Sequence, residues 1–278
     1  MKILKWMLVL ASTAMLAACA PKAKAPKVLV LYYSQSANTK TVATEIATRL
    51  NADLEEILPV VPYDGTYMET IERSRQERES GKLPEIQPLK ADLAAYDIVF
   101  IGYPIWFGTY ALPVGSLLAQ VDLSGKKVVP FCTFGSGGLD ASCRDLAEHC
   151  PGAEILPGYG VRAARMDAVP KEVDRFLKSG GYLEGEVVKL EEFPEQHEVT
   201  EEEAAIFDAA VGDYPMIHAK AATVASRTLP EGTEYLFTAF DLPREGAPAP
   251  APDMEPRPMK VYVTVEDGKA PVFTQVVR

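Results

Sequence analysis

VLVLYYSQSANTKT, residues 28–41, is the stretch that decides the fold. An apolar run over 28–33 stops at Ser34-Gln35-Ser36-Ala37-Asn38-Thr39, after which helical spacing sets Val42, Ile46 and Leu50 on one side. The pattern reads as a buried strand, a polar loop and a helix start. A helix N-terminus carries unpaired N–H groups and partial positive charge, which suits a phosphate. The hydroxyls of Ser34, Ser36 and Thr39 can donate to the same anion. Capping needs one such residue; five polar residues in a row around Ala37 exceed that need, so the loop is expected to hold a phosphate monoester.

Outward from this stretch, strand and helix signals alternate. Residues 53–58 alternate apolar and charged, as a strand near a sheet edge does, and 67–80 read as an exposed helix ended by Gly81. Residues 98–102 form a continuous apolar run, the signature of a parallel strand covered on both faces. A helix over 113–120, a strand over 127–132, a helix over 142–149, a strand over 154–161 and a helix over 169–178 complete five βα units. The expected class is α/β, a doubly wound five-stranded parallel sheet in the order 2-1-3-4-5. Ligands of such sheets bind beyond the C-terminal strand ends at the topological switch point, where the segments after strands one, three and four converge.

Two of those segments are unusual. Tyr103-Pro104-Ile105-Trp106-Phe107-Gly108-Thr109-Tyr110 reads as a loop with four aromatic residues, either a wall for a flat aromatic ligand or a latch on the sheet. Thr133-Phe134-Gly135-Ser136-Gly137-Gly138 is glycine-rich, either a cradle of backbone groups or a flexible connection.

Taken together, the three segments resemble the flavodoxin family over residues 27–182. That family's phosphate loop has the form Ser/Thr-x-Ser/Thr-Gly-Asn-Thr, which Ser34 to Thr39 match except for Ala37 in place of glycine. Residues 104–109 resemble the flavin-flanking loop of its exported and bacterial-reductase-like branch, and 131–138 its third loop. The absence of a long insertion over 153–170 is similar to the short-chain type. The resemblance implies noncovalent FMN. Ser34, Gln35, Ser36, Ala37, Asn38 and Thr39 would surround the phosphate, Pro104, Ile105, Trp106, Phe107 and Gly108 would border the ring, and Thr133, Phe134, Gly135 and Gly138 would face its pyrimidine edge. If the Ala37 position needs a positive φ, alanine costs about 1 kcal/mol there. No catalytic side chain and no metal site is expected, because the flavin would carry the chemistry. The implied function is electron transfer, with an FMN-dependent NAD(P)H quinone or nitro reductase, or a binding protein that has lost flavin, as alternatives. Aromatic walls and a negative chain imply a low reduction potential.

The remaining segments set the context. Lys2 and Lys5, an apolar core and Leu16-Ala17-Ala18-Cys19 look like a lipoprotein signal over 1–18, with Cys19 as the lipidated residue and 19–26 as a tether. The expected location is the cell envelope, with the periplasmic side of the outer membrane preferred because Ala20 follows the cysteine. Losing Lys2 and Lys5 would take the net charge from −11 to −13, which argues against nucleic acid as a partner. Cys132, Cys143 and Cys150 are expected to be buried small residues; Cys143 and Cys150, on one predicted helix, stand about 10 Å apart along it, too far to bridge. Residues 183–199 read as an acidic linker, and the acidic run 184–203 could attract a basic redox partner, the other acceptor class being a small quinone-like molecule. The chain is expected to be a monomer. Residues 200–278 read as a small α+β domain, a helix followed by an antiparallel sheet with a hairpin at Asp267-Gly268 and a Pro-rich loop over 244–258. It faintly resembles the cystatin-like fold, but Arg227-Thr228-Leu229-Pro230-Glu231-Gly232 stands where the inhibitory motif would be, so protease inhibition is not expected.

Overall fold

The computed structural model describes residues 25–212, 214–243 and 258–278. The expected signal, Cys19, most of the tether and nearly all of the Pro-rich loop lie outside the described residues.

The first unit contains β1 (Val28–Tyr32), α1 (Asn38–Leu50), β2 (Asp53–Glu56), α2 (Tyr67–Ser80), β3 (Ile98–Trp106), β4 (Thr109–Tyr110), α3 (Leu112–Leu118), β5 (Lys127–Phe134), α4 (Leu139–Glu148), β6 (Glu154–Ile155), β7 (Tyr159–Arg162) and α5 (Val169–Ser179). The strands run β2-β1-β3-β5-β6, with β7 also parallel to β5. β6 and β7 are two pieces of one fifth strand interrupted at Leu156-Pro157-Gly158, so the sheet has the expected 2-1-3-4-5 order. β2 lies at its edge, as its alternating pattern required. A strand's side chains alternate between faces, and this sheet separates them into two cores. Leu29, Leu31, Val99, Ile101, Val128 and Cys132 face α3 and α4, whereas Val30, Tyr32, Phe100, Val129 and Phe131 face α1 and α5.

The second unit is an antiparallel sheet with one helix. β8 (His197–Glu198) comes from the segment read as linker. α6 (Glu201–Val211) opens on a reciprocal cap between Thr200 and Glu203. β9 (Ala219–Leu229), β10 (Gly232–Asp241), β11 (Pro258–Glu266) and β12 (Val272–Val277) follow, in the order β12-β11-β10-β9-β8. The Asp267-Gly268 turn joins β11 to β12, with Gly268 at φ 74°. Phe207 of α6 is fully buried against Phe237, Val224, Met259 and Phe273.

Edge strand β12 leans on the first unit, where the Val276 N–H donates to the Ser136 carbonyl at 2.6 Å. Further along the same interface, Glu231 accepts from Lys171 at 2.5 Å and from Arg175 at 2.6 Å. Burial alone would raise the Glu231 carboxyl, but the hydrogen bonds from Lys171 and Arg175 outweigh it and hold the group below its usual value. A depressed pKa contributes stability that is present above the unfolded value, about 4.3, and lost as pH falls through the folded one. The interface is therefore expected to loosen below about pH 4. Small-angle scattering should show expansion between pH 5 and 3 while circular dichroism still reports folded sheets; constant dimensions would refute it.

Candidate functional site

The first loop bends at Ala37, whose φ of 65° and ψ of −9° are left-handed. An alanine rarely adopts this conformation, and such strain concentrates at ligand sites. Ala37 is also the N-cap of α1, and its side chain has no oxygen to cap the helix. Ser34 Oγ accepts from the Lys40 N–H at 3.2 Å, and Gln35 Nε2 donates to Thr70 Oγ1 at 3.0 Å. Ser36 is exposed and Asn38 half-buried. Thr39 is buried, with its hydroxyl 2.9 Å from the Thr133 hydroxyl of β5. Two hydroxyls carry two protons and their mutual bond uses one, so the pair keeps one donor for a third group.

The second segment is not a loop. β3 continues through Tyr103-Pro104-Ile105-Trp106, turns at Phe107-Gly108 and returns as β4, pairing Trp106 with Thr109 and Ile105 with Tyr110. Both turn residues have positive φ, 51° and 84°, the two-residue hairpin geometry that matches strand twist. Trp106 is half-buried and meets Tyr33 and Tyr63 edge-on, at 5.6 and 5.1 Å. Phe107 stands at the tip, 51% exposed. Thr109 Oγ1 is buried without a hydrogen-bond partner. An unpaired buried hydroxyl costs about 1–3 kcal/mol and is the kind of atom a ligand satisfies.

The third segment divides. Thr133 and Phe134 belong to β5 and are buried, and only residues 135–138 form the connection. Gly138, at φ 118°, is the N-cap of α4, and a β-carbon there would lie 2.8 Å from Ile105 Cγ2 of the hairpin. The first and third segments thus meet through Thr39 and Thr133, the second and third through Ile105 and Gly138. The carbonyls of Gly135 and Ser136 point elsewhere, the former to Arg162 Nε at 2.8 Å and the latter to Val276.

Sequence reasoning did not single out Tyr33, Tyr63, Thr109, Arg162 or Tyr214. Tyr33 directly precedes the polar loop and Thr109 lies inside the quoted aromatic stretch, so both were within reach of the pattern. Cys132 and Cys150 are buried, Cys143 is half-buried, and all three are free thiols. Burial pushes the Cys143 and Cys150 thiols up to about 11, which leaves them protonated and unreactive near neutral pH. Cys150 lies just past the end of α4 rather than within it. Among the described residues no group of His, Cys, Asp and Glu could hold a metal.

Residues 27–175 match the family model described as Flavodoxin. Among solved structures, the chain is similar to a presumed flavoprotein from Bacteroides eggerthii DSM 20697, at 28% identity and a TM-score of 0.50, covering 56% of this chain and 98% of that one. It is similar to a second from Bacteroides uniformis ATCC 8492, at 27% identity and a TM-score of 0.49, covering 54% and 99%. A flavoprotein in complex with FMN from Lactobacillus acidophilus NCFM shares 28% identity at a TM-score of 0.45, covering 49% and 93%.

Proposed function

The chain belongs to the flavodoxin family, and on that premise we propose that it binds FMN noncovalently and transfers electrons. The observation that carries this reading is the left-handed Ala37 at the N-cap of α1, a residue with no side-chain oxygen to cap the helix. The donor set suits the group: Ser34, Ser36, Asn38 and Thr39 would hold the phosphate, with the spare proton of the Thr39–Thr133 pair directed to it. Trp106, Phe107 and the unpartnered Thr109 hydroxyl would border the ring. FMN, when bound, supplies the electron-accepting chemistry, and the protein's residues position it and exclude water. Titration of the purified protein with FMN, followed by quenching of flavin fluorescence, tests the reading; no binding would sink it.

Relief of the strain at Ala37 gives a sharper expectation. Ala37→Gly removes about 1 kcal/mol of conformational cost; the free chain already holds Ala37 at φ 65°, so the gain should appear as about 1 kcal/mol of unfolding free energy, with FMN binding tightened by less than about fivefold. An unchanged unfolding free energy would mean the loop relaxes by another route.

The half-exposed Phe107 at the hairpin tip favours a second reading, an NAD(P)H quinone or nitro reductase, because it leaves one approach to the ring open. Steady NAD(P)H consumption with a quinone separates it from a carrier that serves a redox protein. We also read the protein as a monomer held in the cell envelope, on the periplasmic side of the outer membrane, by lipid on Cys19. Leu16-Ala17-Ala18-Cys19 supports this. Cys19→Ser should then leave the protein out of the membrane fraction. Residues 200–278, whose helix and antiparallel sheet are the basis of the cystatin-like resemblance, act in this reading as an accessory domain rather than a protease inhibitor.

A further inference from the structure

Arg162 closes β7 and is 7% exposed. Its guanidinium touches both units at once: Nε donates to the Gly135 carbonyl at 2.8 Å and Nη1 to the Phe273 carbonyl of β12 at 3.0 Å. Its central carbon stands over the Phe273 ring, 3.3 Å from the ring centre, and 5.2 Å from the centre of the Tyr214 ring. Around it the two units meet at backbone distance. A β-carbon on Gly137 would stand 2.1 Å from the Val276 carbonyl oxygen, and one on Gly135 would stand 2.8 Å from the Tyr214 hydroxyl.

The cations nearby are paired: Arg165 with Glu172, Lys171 and Arg175 with Glu231, and Arg227 with Glu234. Arg162 has no carboxylate partner among the described residues. Its charge is permanent and is held by two carbonyls and two aromatic faces. A buried charge without a counter-charge is costly, and it is placed directly behind the loop assigned to the pyrimidine edge of the cofactor.

We propose that Arg162 is a positioning residue through which the C-terminal domain completes the third loop and raises the reduction potential of the bound flavin. The inference rests on the FMN reading. Addition of two electrons and one proton to the ring leaves one net negative charge, which an uncompensated guanidinium favours. Surface carboxylates, which set the net charge of −11, act through solvent and are screened within about 8–10 Å; Arg162 is shielded from that screening. Arg162 therefore offsets part of the low potential that the overall charge implies.

The test measures dissociation constants of oxidised and dithionite-reduced FMN on the full chain. Arg162→Gln, which removes the charge, should weaken the reduced form about tenfold more than the oxidised form, equivalent to about 30 mV for a two-electron couple. Arg162→Lys keeps the charge but loses the double donation, so both forms should weaken with a ratio within threefold of the wild type. Tyr214→Glu, which sets a carboxylate beside an intact Arg162, should shift the ratio in the same direction as Arg162→Gln and covers the case in which that variant does not fold. Glu231→Gln, at the same interface but away from the loop, should leave the ratio unchanged. If Arg162→Gln or Tyr214→Glu binds flavin with the wild-type ratio, the inference is overturned and the cofactor reading stands. A wild-type chain that binds no FMN overturns both.

Discussion

Replacing Phe207 with alanine is expected to unfold the C-terminal domain while the parallel-sheet domain stays folded. Phe207 is the one residue of α6 that is fully buried, and it meets Phe237 edge-on with ring centres 5.2 Å apart. Removing a buried phenylalanine costs about 3–5 kcal/mol. A domain of roughly 80 residues has only about 4–12 kcal/mol in total, so the loss approaches the whole. The parallel sheet has two cores of its own, neither of which includes a residue beyond Leu183. Denaturant unfolding followed by hydrogen exchange should therefore show residues 200–278 exchanging early and residues 27–182 retaining protection. One cooperative transition at the wild-type midpoint would refute this. The variant also strips β12 from the third loop, so the carbonyl of Ser136 becomes open to water without any change in the loop's own sequence.

Gly102→Ala is the second large effect. Gly102 pairs in register with Phe131, whose ring folds back over it. A β-carbon at this position would lie 2.1 Å from Phe131 Cζ, 2.2 Å from Cε2 and 2.8 Å from Cε1. The ring is fully buried among Val30, Ile46, Phe100 and Val129, so it has no free volume to enter. Overpacking costs about 1–3 kcal/mol where neighbours yield; with three ring carbons in the way the expected loss is about 3 kcal/mol or more. Phe131→Leu should recover much of it in the double variant, because the two residues share one volume. Additive effects would place the strain elsewhere. The substitution should also weaken FMN binding, since β3 continues from Gly102 directly into the hairpin that carries Trp106 and Phe107.

The parallel sheet was legible because its strands announce themselves. Residues 28–33, 98–102 and 128–132 are apolar without interruption, which only a strand buried on both faces requires. The left-handed bend at Ala37 followed from comparing one loop with a family pattern. The hairpin over 105–110 was hidden for a physical reason. Pro104 punctuates the run, and the turn depends on a phenylalanine at positive φ, a conformation for which sequence offers no preference. Similarly, Leu156-Pro157-Gly158 breaks the fifth strand, and Gly138 starts α4 three residues earlier than helical spacing alone suggested. Arg162 and Tyr214 were invisible because their significance comes from a partner far along the chain. No local pattern reveals that β12 will lie against residues 135–138.

That distance has a consequence in time. Ser136 and Val276 are joined by a hydrogen bond across roughly 140 residues, and synthesis proceeds at about 5–20 residues per second. For on the order of ten seconds after the third loop has been made, the strand that covers it does not yet exist. A chain exported unfolded, as the lipoprotein reading implies, also emerges N-terminus first, so the first domain still passes through an interval in which its cofactor loops are complete and uncovered. FMN entering then meets a different barrier from FMN entering after β12 has docked.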